Sequence, residues 1–216
     1  YTLLKNIITR EKIDLVHAHA RIPAFICNRL HIKMGFPFVT TAHWVFKTGW
    51  GLKYITRWGQ RTLAVSEDIK KYLMDNYGID EDNITVTING IDTEKFIPTI
   101  DASDIIKEFD IDKKNKHIVY ISRLDSDRSD VAFQLIEIAP QLVKELGDID
   151  IIVVGGGNVF ERAVAKAEEV NRKIGRRVVI MTGGRTDINK FVSLSNIFIG
   201  VSRAALEAMS AEKPVI

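Results

Sequence analysis

The sequence predicts an α/β protein made of two parallel-sheet units, and three observations carry that prediction. Apolar runs of strand length alternate with helical patterns along all 216 residues. The strand candidates are near-continuous in Val, Ile and Thr, the pattern of strands covered by helices on both faces. They also fall into two sets of four, separated by the polar stretch "IDTEKFIPTIDASDIIKEFDIDKKNKH".

In the first set, "DLVHAHA" (14–20), "PFVTTAH" (37–43), "TLAVS" (62–66) and "NITVTI" (83–88) read as strands bounded by turn residues. The clearest helix is "SEDIKKYLMDNYG". Ser66 stands at its cap, Glu67 and Asp68 suit its positive start, and Ile69, Tyr72, Leu73 and Tyr77 share a face before Gly78. Asn89 and Gly90 form a turn signal. The second set is "HIVYIS" (117–122), "DIIVV" (150–154), "RVVIM" (177–181) and "IFIGV" (197–201), the last running into an alanine-rich helix with a single acid, Glu207. These patterns predict one unit over 1–96, a linker over 97–116 and a second unit over 117–216.

With 46% hydrophobic and 27% charged residues the chain can bury a sizeable core. Its single cysteine, Cys27, excludes an internal disulfide and fits a cytoplasmic location. No apolar run reaches the length of a membrane span, and "YTLLKNIITR" is not a signal peptide. The missing initiator Met and the abrupt "KPVI" read as truncation at both ends. Residues 1–60 hold nine Lys/Arg against two acids, so +7, and the remaining 156 hold 21 against 26, so −5. A basic half of this kind steers anionic ligands or rests on an acidic membrane surface. In "FKTGWGLKYITRWGQR", Trp50, Tyr54 and Trp58 interleave with Lys47, Lys53, Arg57 and Arg61. That mixture suits either peripheral contact with a membrane or packed aromatics. No nucleic-acid partner is expected.

Ligands of open parallel sheets gather at the carboxyl ends of the strands. There the second unit carries "SRLDSDR", "GGGN", "TGGRTD" and "VSRAALE". Gly156, Gly183 and Gly184 let backbone approach a ligand, although tight strand-to-helix turns use glycine without one. "GGGN" is not a dinucleotide fingerprint, since Phe160 stands at the third glycine position, and no P-loop pattern occurs. No metal site is expected. His17 and His19 alternate on a strand, but no third ligand is spaced to join them.

The segments "DLVHAHARIPA", "PFVTTAH", "LAVSEDI", "TINGIDTEKF", "YISRLDSDR", "IIVVGGGN" and "LEAMSAEKPVI" stand in the order and spacing of retaining nucleotide-sugar glycosyltransferases of family 4 (group 1). The chain resembles that family from about residue 12 to residue 216. The resemblance implies a GT-B fold, two Rossmann-like domains facing across a cleft, with the acceptor-side domain first and the donor-binding domain second. It implies that Arg123, and Arg128 where the family has Lys, reach the donor diphosphate. It implies that Glu207, the second acid of the family's E-x7-E motif, accepts hydrogen bonds from the nucleotide ribose, with Ser202 and Arg203 at the helix start. The first acid is absent, Ile199 standing in its place. His43 matches the family histidine beside the donor sugar.

The activity implied is metal-independent transfer of a sugar from a nucleoside-diphosphate donor to an acceptor hydroxyl, with retention, in polysaccharide or glycolipid synthesis. The donor is a substrate, and no cofactor is expected. The acceptor is carbohydrate or lipid-linked, at the inner face of a membrane. A GT-B sugar-nucleotide epimerase and a non-catalytic nucleotide-sugar-binding subunit are the alternatives.

Overall fold

The computed structural model describes residues 1–216, which form two compact units, Tyr1–Gly90 and Ile91–Ile216. All eight expected strands form.

The first unit runs α1 (Thr2–Arg10), β1 (Val16–Ala18), α2 (Arg21–Met34), β2 (Phe38–Ala42), α3 (Leu52–Ile55), β3 (Arg61–Ala64), α4 (Glu67–Tyr77), a 3-10 turn (Glu81–Asn83) and β4 (Ile84–Val86). Its sheet is parallel in the order β1-β2-β3-β4. Each strand therefore pairs with the next through a crossover, and all four carboxyl ends lie on one edge. Leu30, Phe36 and Phe38 pack beneath α2, while Leu73 of α4 packs on Ala42, Ala64 and Ile84. Helix α4 starts and stops where its sequence directs: Ser66 Oγ accepts from the Ile69 amide at 3.3 Å, and Gly78 ends it at φ +63°.

The second unit runs α5 (Ser103–Glu108), β5 (Lys116–Ile121), α6 (Asp130–Leu146), β6 (Ile149–Val154), α7 (Phe160–Ile174), β7 (Val179–Gly183), α8 (Ile188–Leu194), β8 (Ile197–Ile199) and α9 (Ser202–Ser210). Its strands are parallel in the order β7-β6-β5-β8. All six residues of β6 are buried, because alternate side chains enter two different cores. Ile151 and Val153 meet α6 and α7 through Leu135, Ile136, Ala163 and Ala167. Ile152 and Val154 face the cluster of Ile105, Phe191, Phe198 and Ala208. The strand order reverses at β5, where the chain steps outward to β6 and β7 and then returns to place β8 on the other side.

The stretch 97–116, expected as a linker, is part of the second unit. Ile105 is fully buried and Ile111 nearly so, Asp104 pairs with Lys190, and Glu108 pairs with Arg185. Ile105 and Ile111 point inward, and the charges around them, which gave it the look of a linker, face out or pair with α8 and the turn before it.

Candidate functional site

The reversal at β5 opens a crevice between the carboxyl ends of β5 and β8, where doubly wound sheets bind their ligands. The loop after β5 forms one wall and carries Arg123 and Arg128; α9 forms the other and carries Ser202, Arg203 and Glu207.

The β5 loop is held in place by its neighbour. The Leu124 amide donates to Gly156 O at 2.9 Å and the Val159 amide to Leu124 O at 3.0 Å. Asn158 Oδ1 accepts from the Ser126 amide at 3.0 Å, while the Asn158 amide donates to Asp125 Oδ1 at 3.3 Å. This contact explains two of the glycines. A Cβ on Gly155 would lie 1.8 Å from Ser122 O, and one on Gly157 would lie 2.3 Å from Leu124 O. Their small size serves loop-on-loop packing. A Cβ on Gly156 would meet the Gly184 amide nitrogen at 3.3 Å, and Gly183 has the left-handed φ of +74° that ends β7. Gly156, Gly183 and Gly184 thus cluster at the ends of β6 and β7, beside the reversal point.

With the loop fixed by backbone and by Asp125 and Asn158, the arginines are left exposed. Arg123 Nε lies 3.6 Å from Asp125, and Arg128 Nε lies 3.6 Å from Asp127. Neither distance is a hydrogen bond, so both forks keep their donors for an anion.

On the opposite wall Glu207 is only 5% exposed although it lies on a short terminal helix. Its Oε1 accepts from Arg203 Nε at 2.9 Å, one turn earlier, and Oε2 takes no hydrogen bond from the protein. Arg203 compensates the buried charge and fixes the carboxylate, leaving Oε2 as a free acceptor. Ser202, the first residue of α9, is held at φ +57°, a conformation uncommon for a residue with a side chain. Asp187 takes the cap position before α8, yet its carboxylate is bound by Arg185 and makes no cap bond.

In the first unit His43 follows β2, and its Nε2 lies 2.9 Å from His19 Nδ1, beyond the end of β1. His17 Nε2 lies 2.7 Å from Thr41 Oγ1, and the His17 and His19 rings are 4.1 Å apart. The structure therefore supplies the third histidine that spacing along the chain does not, because β1 and β2 pair in parallel. No three His, Cys, Asp or Glu side chains converge in metal-holding geometry. Burial, and then the neighbouring His19, pull the His43 pKa down; burial, then His19 and His43, do the same for His17. A neutral His43 ring suits the His19–His43 contact, in which one nitrogen carries the proton and the other accepts it. His19 is the site residue that sequence reasoning passed over; the same-side spacing of His17 and His19 is the signal that could have found it.

Residues 1–95 match the model of Glycosyltransferase Family 4, and residues 115–216 match that of Glycosyl transferases group 1. The chain belongs to this glycosyltransferase family. Among curated relatives, this glycosyltransferase chain is 25% identical over 236 residues to UDP-Gal:alpha-D-GlcNAc-diphosphoundecaprenol alpha-1,3-galactosyltransferase of Escherichia coli. That alignment covers 99% of this chain and 59% of the relative, so the chain spans about three fifths of the length of the protein it matches. Among solved structures, HepE of Anabaena in complex with UDP is similar with a TM-score of 0.78 at 18% identity, covering 99% of this chain and 62% of that one. A glycosyltransferase from Rickettsia africae is similar with a TM-score of 0.73 at 24% identity, covering 99% and 60%. Both likenesses are of the fold alone.

Proposed function

We propose that the second unit binds a uridine-diphosphate sugar in the β5/β8 crevice, and that the protein transfers the sugar, of the galactose class, to an acceptor hydroxyl. The observation that carries this reading is the pairing of two unengaged arginines on one wall with the free Oε2 of Glu207 on the other. Arg123 and Arg128 grip the diphosphate; Oε2 of Glu207 accepts from the ribose, with Arg203 as its positioning residue. As the bond from the anomeric carbon to the diphosphate breaks, negative charge develops on the leaving oxygen. Guanidinium groups already in place stabilise that charge without reorganising.

Retention at the anomeric carbon, the UDP donor and a lipid-diphosphate acceptor rest on the family resemblance and on what the Escherichia coli relative is named for. Labelled UDP-galactose, incubated with and without an N-acetylglucosamine-diphospholipid, tests the reading. Acceptor-dependent release of UDP supports transfer. Isomerised donor without acceptor points to an epimerase, and binding without turnover to a non-catalytic subunit.

A further inference from the structure

Carboxylates repel an anion, yet the loop after β5 carries two of them, Asp125 and Asp127, between the arginines of the proposed donor site. Their surroundings differ. The Asp127 carboxylate is exposed, takes no hydrogen bond, and lies 3.6 Å from Arg128 Nε. The Asp125 side chain is 29% exposed, and its Oδ1 accepts from the Asn158 amide at 3.3 Å. The bond is returned, because Asn158 Oδ1 accepts from the Ser126 amide at 3.0 Å. Each side chain thus supplies an oxygen to the other loop, and neither amide so engaged has a backbone partner.

This reciprocal latch lies between the two cations. On its strand side Leu124 is fully buried, its amide bound to Gly156 O and its carbonyl to the Val159 amide. On its helix side the Arg128 amide donates to Asp125 O at 2.9 Å, closing the turn 125–128, and the buried Ser129 leads into α6. Arg123 precedes the latch and Arg128 follows it, so the latched turn sets the separation of the two guanidiniums. Two cations on one loop repel each other, and an untethered turn lets them part. Holding them at a fixed spacing in advance removes that ordering cost from binding.

We propose that Asp125 and Asn158 are positioning residues for the diphosphate, which preset the spacing of Arg123 and Arg128 and touch no ligand atom themselves. The proposal rests on the donor reading above. It assigns opposite effects to two acids of one loop. Where charge alone governs, removing either acid strengthens anion binding; where the latch governs, removing Asp125 weakens it.

Calorimetric titration of the full chain with UDP and with uridine is the test. Asp127→Asn should match or exceed the unaltered chain in affinity for UDP. Asp125→Asn keeps an acceptor oxygen for the Asn158 amide and should do the same. Asp125→Ala and Asn158→Ala should each lose roughly three- to tenfold for UDP and nothing for uridine, which lacks the diphosphate. Unchanged uridine affinity also shows that these variants keep their fold. In a chain that already carries Arg123→Ala and Arg128→Ala, the two alanine changes should have no further effect, since no cation remains for them to place. Undiminished UDP affinity in Asp125→Ala, an equal loss for uridine, an equal loss in Asp125→Asn, or a loss that persists without the arginines would each overturn the proposal. If Arg128→Ala weakens UDP binding while Asp125→Ala does not, the latch alone is wrong. If Arg128→Ala leaves UDP affinity unchanged, the donor reading falls with it.

Discussion

In the proposed donor site Arg128 and Glu207 hold different parts of one ligand, and on that proposal their losses should differ in kind. Arg128→Ala removes a charge-assisted hydrogen bond to diphosphate, worth about 1.5–3 kcal/mol, or roughly ten- to a hundredfold in affinity. The loss should appear for UDP and nearly vanish for uridine in calorimetric titration. Glu207→Gln should weaken both ligands alike, since its partner is the ribose they share. A second residue-scale test concerns Asp150, which is buried near the start of β6, far in sequence from the crevice residues. Its Oδ1 accepts from Asn115 at 3.0 Å, its Oδ2 has no partner, and His117 Nε2 lies 3.7 Å and Arg176 Nη1 4.0 Å from the carboxylate. Burial pushes the carboxyl pKa up, against the downward pull of Asn115, His117 and Arg176. A raised folded-state pKa means that the folded protein binds the proton more tightly than the unfolded chain. The contribution to stability is therefore full in acid and is lost as pH rises through the folded pKa, above the usual carboxylate range. Asp150→Asn mimics the protonated acid. It should raise the thermal midpoint by about 2–4 °C at neutral pH, with the gain disappearing in acid.

At the scale of elements, the informative case is α5. Its charges made the segment read as a connection between domains, yet Ile105 is fully buried in the second unit. Ile105→Ala should cost about 2–4 kcal/mol in urea unfolding, whereas the same change in a solvated linker would cost almost nothing. The strands show the opposite relation. Both faces of β6 are covered, so its sequence from Ile151 to Val154 is an unbroken apolar run that reads as a buried strand without any knowledge of its neighbours. The glycines between β6 and α7 lie between these cases: the sequence marks close approach, and the fold decides that backbone of the β5 loop is what approaches Gly155 and Gly157.

At the scale of the molecule, each unit has its own sheet and its own core, and the boundary near Gly90 falls in an exposed stretch without regular structure that includes Asn89. Residues 91–216 produced alone should fold and bind UDP with the affinity of the full chain, and residues 1–90 should show no UDP binding. Uridine nucleotide titration of both fragments checks this. Equal affinity in the first fragment would place the donor site in the wrong unit. The charge asymmetry belongs to this scale too, because the basic residues of the first 60 positions lie in the unit whose aromatic segment faces solvent.

The sequence by itself determined the eight strands, the caps of α4 and the residue types at the strand ends. Each of these depends on a few neighbouring residues whose apolar period or hydrogen-bonding groups act locally. Only the tertiary structure decided that β8 returns beside β5, which sets the loop of Arg123 and Arg128 and the helix of Glu207 after neighbouring strand ends. It also decided that His43 meets His19 across 24 positions, that Glu207 is buried under Arg203, and that Trp58 packs while Trp50 does not. Most of these outcomes join segments distant along the chain, and even the Arg203–Glu207 bond takes its burial from the sheet beneath it. Strand order and side-chain burial are settled by which surfaces can be covered together, a condition on the whole unit that no local pattern encodes.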